Sequence, residues 1–198
     1  MPRRLPVGRA GGENSVIVSS QLPFAPLALD RSGIRHLYVR DTAACPLPEG
    51  CGAVMPEVWT VVSDATAMAD MGEGEILLRS ATALLERLAG RLARERVGLR
   101  LYAAGGASFL SRVAIVADAA GLAVGEVLLA PPRDAARRVL CVHCDTVNEA
   151  VEGDTVRCLG CGTTLFVRDH YSRGLGAYMG VGEPEILLQA MEAAARHG

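Results

Sequence analysis

The chain has 198 residues, half of them hydrophobic, with 20 Lys and Arg set against 22 Asp and Glu. That length accommodates one ordinary domain and a small one, and the composition is that of a globular rather than a disordered chain. A formal net charge of −2 gives no electrostatic ground for nucleic-acid binding, and no run approaches the length of a membrane span.

Residues 1–14 are rich in Arg, Gly and Pro and read as a flexible N-terminus. Arg3, Arg4 and Arg9 are not followed by the apolar run of a secretion signal, so the expectation is a cytoplasmic chain in which paired cysteines favour metal over disulfides. Ser15–Ser19 reads as a short strand or an arm on a partner. The stretch from Gln21 to Leu27, broken by Pro23 and Pro26, reads as extended packing chain. His36–Val39 is a short strand. It leads into Asp41–Pro56, where Cys45 and Cys51 are separated by five residues including two prolines. Such a gap is a poor chelating turn, and these two read as ordinary thiols.

Val58–Val62 and Glu75–Leu78 are strand-like. From Ala81 to Val97 apolar residues recur at Ala81, Leu84, Leu85, Leu88 and Leu92, which predicts an amphipathic helix with Ser80 as its cap and Gly98 as its stop. Leu99–Ala104 is again a strand. Gly105–Ser108 then turns the chain into a helix from Phe109 to Ala120, with Phe109, Val113, Val116, Ala117 and Ala120 on its apolar face and Gly121 closing it. Glu126–Leu129 is the next strand. Strands alternating with helices predict an α/β domain over residues 15–132, a mainly parallel sheet with helices covering its faces. Pro131–Arg138 interrupts both patterns and marks a boundary.

Two Cys-x-x-Cys pairs follow, Cys141 with Cys144 and Cys158 with Cys161, thirteen residues apart. Both sulfurs of such a pair reach a metal from one tight turn, so the spacing predicts four thiolates around a single tetrahedral ion. The polar and β-branched residues between the pairs, turning at Glu152-Gly153-Asp154, read as a short hairpin, and Thr163–Val167 as a further strand. Residues 138–182 thus form a small zinc-ribbon or rubredoxin-like β module that depends on its metal for stability. An irregular glycine-containing loop runs from Asp169 to Val181. Residues 183–198 carry an amphipathic helix from Glu185 to Arg196.

Two family resemblances attach to these residues. Leu99–Leu129, a strand, a Gly-Gly turn, a helix, Gly121-Leu122 and a strand, resembles the end of the nucleotide-binding domain of ferredoxin reductases, of which residues 35–130 would be a reduced version. The glycine run expected after the first strand is replaced by Asp41-Thr42-Ala43-Ala44-Cys45-Pro46, and Ala104 stands where that family has a cysteine. Those departures remove the groups that would hold pyrophosphate and nicotinamide. The second resemblance rests on Cys-Val-His-Cys-Asp-Thr-Val-Asn-Glu, Cys-Leu-Gly-Cys-Gly, His170-Tyr171-Ser172-Arg173 and Leu175-Gly176-Ala177-Tyr178-Met179-Gly180-Val181. It is to the DmmA-like small subunits of bacterial dimethylamine monooxygenase. The resemblance implies a complex that oxidatively demethylates dimethylamine with electrons from NADPH. Its partners would be a reductase subunit carrying flavin and a 2Fe–2S cluster, and a haem-containing oxygenase subunit.

A four-cysteine site has no open coordination position and activates neither water nor substrate. With zinc it is a structural clip; with iron it carries one electron. Asp145, where rubredoxin has glycine, leans the reading toward zinc. His143, His170, Tyr171, Arg173 and Tyr178 are the candidate partner contacts, and no residue of this chain is assigned a catalytic role. Two functions follow. One is a non-catalytic metal-binding subunit of the monooxygenase, in assembly or electron relay. The alternative is a free-standing rubredoxin-like carrier fused to a vestigial reductase domain.

Overall fold

Five strands with buried, β-branched or aromatic centres line up in parallel in a computed structural model that describes residues 22–52, 54–62 and 74–182. They are β1 (Arg35–Arg40), β2 (Glu57–Val61), β3 (Ile76–Leu78), β4 (Leu99–Ala104) and β5 (Val127–Leu129), in the order β3-β2-β1-β4-β5. The strand expected at Ser15–Ser19 and the helix expected at Glu185–Arg196 lie outside the described residues.

Connectivity decides which face of this sheet the helices cover. Right-handed crossovers that step in the same direction along a sheet lie on the same face. The steps β3→β4 and β4→β5 run one way, carrying α1 (Ala81–Leu92) and α2 (Ala107–Ala119), while β1→β2 and β2→β3 run the other. Both helices accordingly pack on the face of Leu37, Val39, Leu101 and Ala103, through Leu84, Leu85, Leu88 and Leu92 of α1 and Phe109, Leu110, Val113 and Ala117 of α2. The opposite face, with Tyr38 and Tyr102, is covered among the described residues by extended chain at Leu27 and Leu29 and by the loop carrying Cys45. The expectation of helices on both faces is corrected to that extent.

Helix ends follow local chemistry. Ser80 Oγ accepts from Ala83 N at 3.1 Å, the expected N-cap. α1 stops at Leu92, not at Val97, because the next turn offers Glu95 and Arg96 where an apolar face is needed. Glu95 pairs instead with Arg91 and with Arg35 Nε at 2.7 Å, and Arg35 also donates to the carbonyls of Arg96 and Val97. α2 begins two residues before the predicted start, with Gly106 as N-cap. Ala120 proves exposed, while Leu110 and Ser111 are buried.

Residues 130–136 lead to a second sheet of β6 (Arg137–Cys141), β7 (Val147–Val151), β8 (Thr155–Arg157), β9 (Thr164–Ser172) and β10 (Ala177–Gly182), in the order β7-β6-β10-β9-β8. β7 and β8 stand at opposite edges and do not pair. The hairpin expected between the cysteine pairs is therefore corrected. Each cysteine pair is itself the tip of a hairpin, β6–β7 for the first and β8–β9 for the second. β6 lies against α2: Arg138 Nε donates to Glu149 Oε1 at 2.9 Å, and Ser108 Oγ to Glu149 Oε2 at 3.0 Å. A Cβ at Gly176, before β10, would overlap Ile115 of α2, so the loop and the helix meet too closely for any side chain there. No helix among the described residues is long and apolar enough to cross a membrane.

Candidate metal centre

Cys141 ends β6 and Cys158 follows β8, so the two hairpins present their tips to one another. Each tip closes in the same way. Asp145 N donates to Cys141 O at 3.0 Å and Gly162 N to Cys158 O at 2.9 Å; Cys141 N reaches Thr146 O and Cys158 N reaches Thr163 O, both at 2.9 Å. The threonine hydroxyls Thr146 Oγ1 and Thr163 Oγ1 stand 3.3 and 3.4 Å from Cys144 Sγ and Cys161 Sγ. Cys-x-x-Cys-Asp/Gly-Thr is thus an internal repeat in space as well as in sequence.

The four sulfurs converge. Cys141 Sγ lies 3.7 Å from Cys161 Sγ and Cys144 Sγ 3.6 Å from Cys158 Sγ, and all four lie within 4.8 Å of one another. Thiolates at about 2.3 Å from a tetrahedral ion sit about 3.8 Å apart, so the cluster has the size of one metal ion's ligand shell. Gly160 allows this approach, since a Cβ there would overlap Thr146 Oγ1 and crowd Cys144 Sγ. Asp145 has φ 57° and Gly162 φ 73°, both in the left-handed region. Asp145 therefore holds the conformation that a glycine would, and its presence carries no preference for zinc over iron.

Electrostatics differ between the twins. Burial pushes the Cys141 thiol up. Cys158 is pulled down to about 6, first by the backbone N–H of Cys161, then against burial by that of Gly160, by Cys144 and by the Asn148 amide. Cys161, exposed, is lowered by the Thr163 hydroxyl and amide. Asn148 was not singled out from the sequence, where it is one polar residue in a polar loop. It is buried near the start of β7, its Oδ1 accepting from Leu159 N at 2.9 Å.

The remaining sequence candidates separate. His143 and His170 are exposed. Tyr171 is only 2% exposed, so it is not a surface contact; its ring meets Tyr178 edge-on at 5.2 Å and its hydroxyl is buried without a hydrogen-bond partner. Tyr178 is half-buried beneath the Arg137 guanidinium, and the Arg173 Nε is buried without a hydrogen-bond partner. Cys45 is buried beside Tyr38 and Tyr102 and Cys51 half-buried; both are free thiols raised by burial.

Comparison with known proteins bears on this centre. Residues 138–181 match the family described as dimethylamine monooxygenase subunit DmmA-like, C-terminal domain. The chain resembles the DmmA-like small subunits. The heme-dependent oxidative N-demethylase delta subunit of Ectopseudomonas mendocina (strain ymp) is 42% identical over 86 residues, 43% of this chain and 49% of that protein. The match thus spans about half the length of this curated relative. No solved structure matches.

The α/β half carries the place where a dinucleotide would bind in the other family it resembles. A cleft of about 360 Å³ opens at the carboxyl ends of β1, β4 and β5, where connection direction reverses and such sheets bind ligands. The amides at the start of α2, which would take phosphate there, are already engaged: Gly106 N donates to Asp41 Oδ2 at 2.8 Å and Ala107 N to Asp134 Oδ1 at 3.0 Å. Arg133 Nη2 is paired to Asp41 Oδ1 at 2.9 Å. A Cβ on Gly105 or Gly106 would strike these carboxylates, so the glycine pair admits the chain's own anions. The residues do not fit a pyrophosphate.

Proposed function

We propose that this chain is a non-catalytic, metal-binding subunit of a multisubunit, haem-dependent oxidative N-demethylase acting on dimethylamine. The observation that carries the reading is the saturated four-sulfur centre of Cys141, Cys144, Cys158 and Cys161, lying wholly inside the stretch that matches the DmmA-like domain. Four protein sulfurs leave no position for water or substrate, so oxidation of the amine takes place on another chain. The partners are a reductase subunit carrying flavin and a 2Fe–2S cluster, drawing on NADPH, and a haem-containing oxygenase subunit. His143, within the first cysteine pair, and His170 on β9 are exposed and available to them.

The centre holds zinc as an assembly clip or iron as a one-electron relay, and the protein's contribution is the same: it converges the sulfurs, supplies backbone N–H groups to Cys141 and Cys158, and screens the cluster with Leu165 and Val156. Co-expression with the neighbouring subunits, followed by affinity purification and metal analysis, tests the reading. The expected result is one metal ion per chain, co-purification with haem and flavin chains, and no NADPH oxidation by this chain alone. Recovery from its native host as a lone monodisperse monomer would overturn it. A coloured, reversibly reducible centre would select the relay, and a colourless one with stoichiometric zinc the clip.

A further inference from the structure

The two hairpin tips share their cysteines and the threonine two positions after each pair, and at the fourth position after each pair the first has Asn148 and the second Leu165. Both side chains are buried and both face the sulfur cluster. Leu165 packs apolar against Cys141 and Cys158. Asn148, 1% exposed, makes polar contacts across the cluster: Nδ2 donates to Cys158 Sγ at 3.8 Å, to Val139 O at 3.3 Å and to Thr146 O at 3.4 Å, while Oδ1 accepts from Leu159 N. The twin shows that this place in the hairpin is compatible with a wholly apolar residue of similar size. A buried amide there, with each of its polar atoms partnered, has a role specific to what it touches.

What it touches is the backbone of its own hairpin, at Val139 and Thr146, and a sulfur and a backbone amide of the other. Asn148 belongs to the first hairpin and Cys158 and Leu159 to the second, so the amide links the two at the metal. It also makes the centre asymmetric. Cys158 Sγ receives a backbone N–H, Gly160 N at 3.4 Å, and the Asn148 side-chain donor as well. The twin sulfur, Cys141, faces Leu165 on the corresponding side and has no side-chain amide.

We propose that Asn148 is a positioning residue of the metal centre, holding the second cysteine pair in place through Leu159 and drawing electron density from the Cys158 thiolate through its amide N–H. The inference rests on the metal reading of the four cysteines. A hydrogen bond to a coordinating thiolate stabilises the sulfur lone pair, and partners of this kind commonly change metal affinity 10–100-fold on mutation.

Two variants separate the tether from the sulfur donor. Asn148→Leu copies the apolar twin and removes both; Asn148→Asp keeps an acceptor for Leu159 N but sets oxygen against the sulfur. The full-length chain is titrated with Co²⁺, and affinity is read by chelator competition alongside the sulfur-to-cobalt charge-transfer band. Wild type is expected to bind one equivalent. Both variants should bind about 10–100-fold more weakly, and both should show the band moved to longer wavelength as the sulfur lone pair rises. Folding is checked by the circular dichroism of the cobalt-loaded proteins.

Asn148→Asp with wild-type affinity and band position would overturn the sulfur-donor role and leave a tether alone. Asn148→Leu with both unchanged would overturn the proposal entirely while leaving the metal centre intact. A wild-type chain that takes up no Co²⁺ would overturn the metal reading itself, and this inference with it.

Discussion

At Asp145 the backbone sits at φ 57°, a conformation that costs an ordinary L-residue about 1–2 kcal/mol and aspartate somewhat less. Its twin Gly162 occupies the same place without that cost. Asp145→Gly should therefore leave the metal-bound protein equally stable or up to about 1 kcal/mol more stable, and Asp145→Val should lose about 1–2 kcal/mol, read by thermal denaturation at fixed metal concentration. The cysteine spacing was legible at once because a four-ligand site constrains residue type directly. Asp145 does not decide between zinc and iron, because aspartate is among the few residues that hold the left-handed conformation a glycine would. A second expectation concerns the same cysteines in the metal-loaded protein. Bound metal should protect all four from iodoacetamide; Cys161, exposed, should be the first to react and Cys141, buried, the last. Peptide mapping of modified sites over time decides this; faster reaction at Cys141 would contradict the arrangement.

At the scale of elements, the start of α2 shows how a fold can keep an anion seat and fill it from within. Asp41 follows β1, and its carboxylate joins Gly106 N to Arg133 across the sheet's carboxyl edge. Asp41→Ala leaves that amide and that guanidinium without their shared acceptor. The expected cost is about 1–3 kcal/mol in urea unfolding, with Asp41→Asn, which keeps an acceptor for Gly106, losing less. Inorganic pyrophosphate should not stabilise the wild-type protein in the same assay. The sequence showed that the phosphate loop was missing after β1, but not what replaced it, since Asp41 and Gly106 are 65 residues apart. Periodicity placed the helices and the parallel strands because their apolar spacing reports which residues face a core. It misplaced the pairing of β7 and β8 for a related reason. Glu152-Gly153-Asp154 does signal a turn, but strand partners are set by the hairpins that the cysteine pairs close, and those lie on either side of that turn.

Across the whole molecule, two cores of unequal size share one wall. The α/β core gathers fifteen buried residues on the helix face of its sheet, including the chain's single tryptophan, Trp59. The second sheet has two small clusters, Val139 with Val151 and Val167, and Leu165 with Cys141 and Cys158. A core of that size does not offset the conformational entropy of ordering residues 137–182, so the free energy of metal binding must supply much of the module's stability. The α/β core has no such dependence. Stripping the metal with a chelator should therefore abolish amide-exchange protection in β6 to β10 while β1, β2 and β4 remain protected. The urea midpoint reported by Trp59 fluorescence should move little, because Trp59 is buried against α1 and β3, away from the metal module. The wall between the cores, with Ile115 against Gly176 and Ser108 bonded to Glu149, places any coupling in α2, whose exposed-side amides should lose protection partially. A Trp59 transition that shifted in step with metal loss would mean that the two sheets unfold as one unit, and the module's dependence on its ion would then extend to the entire chain.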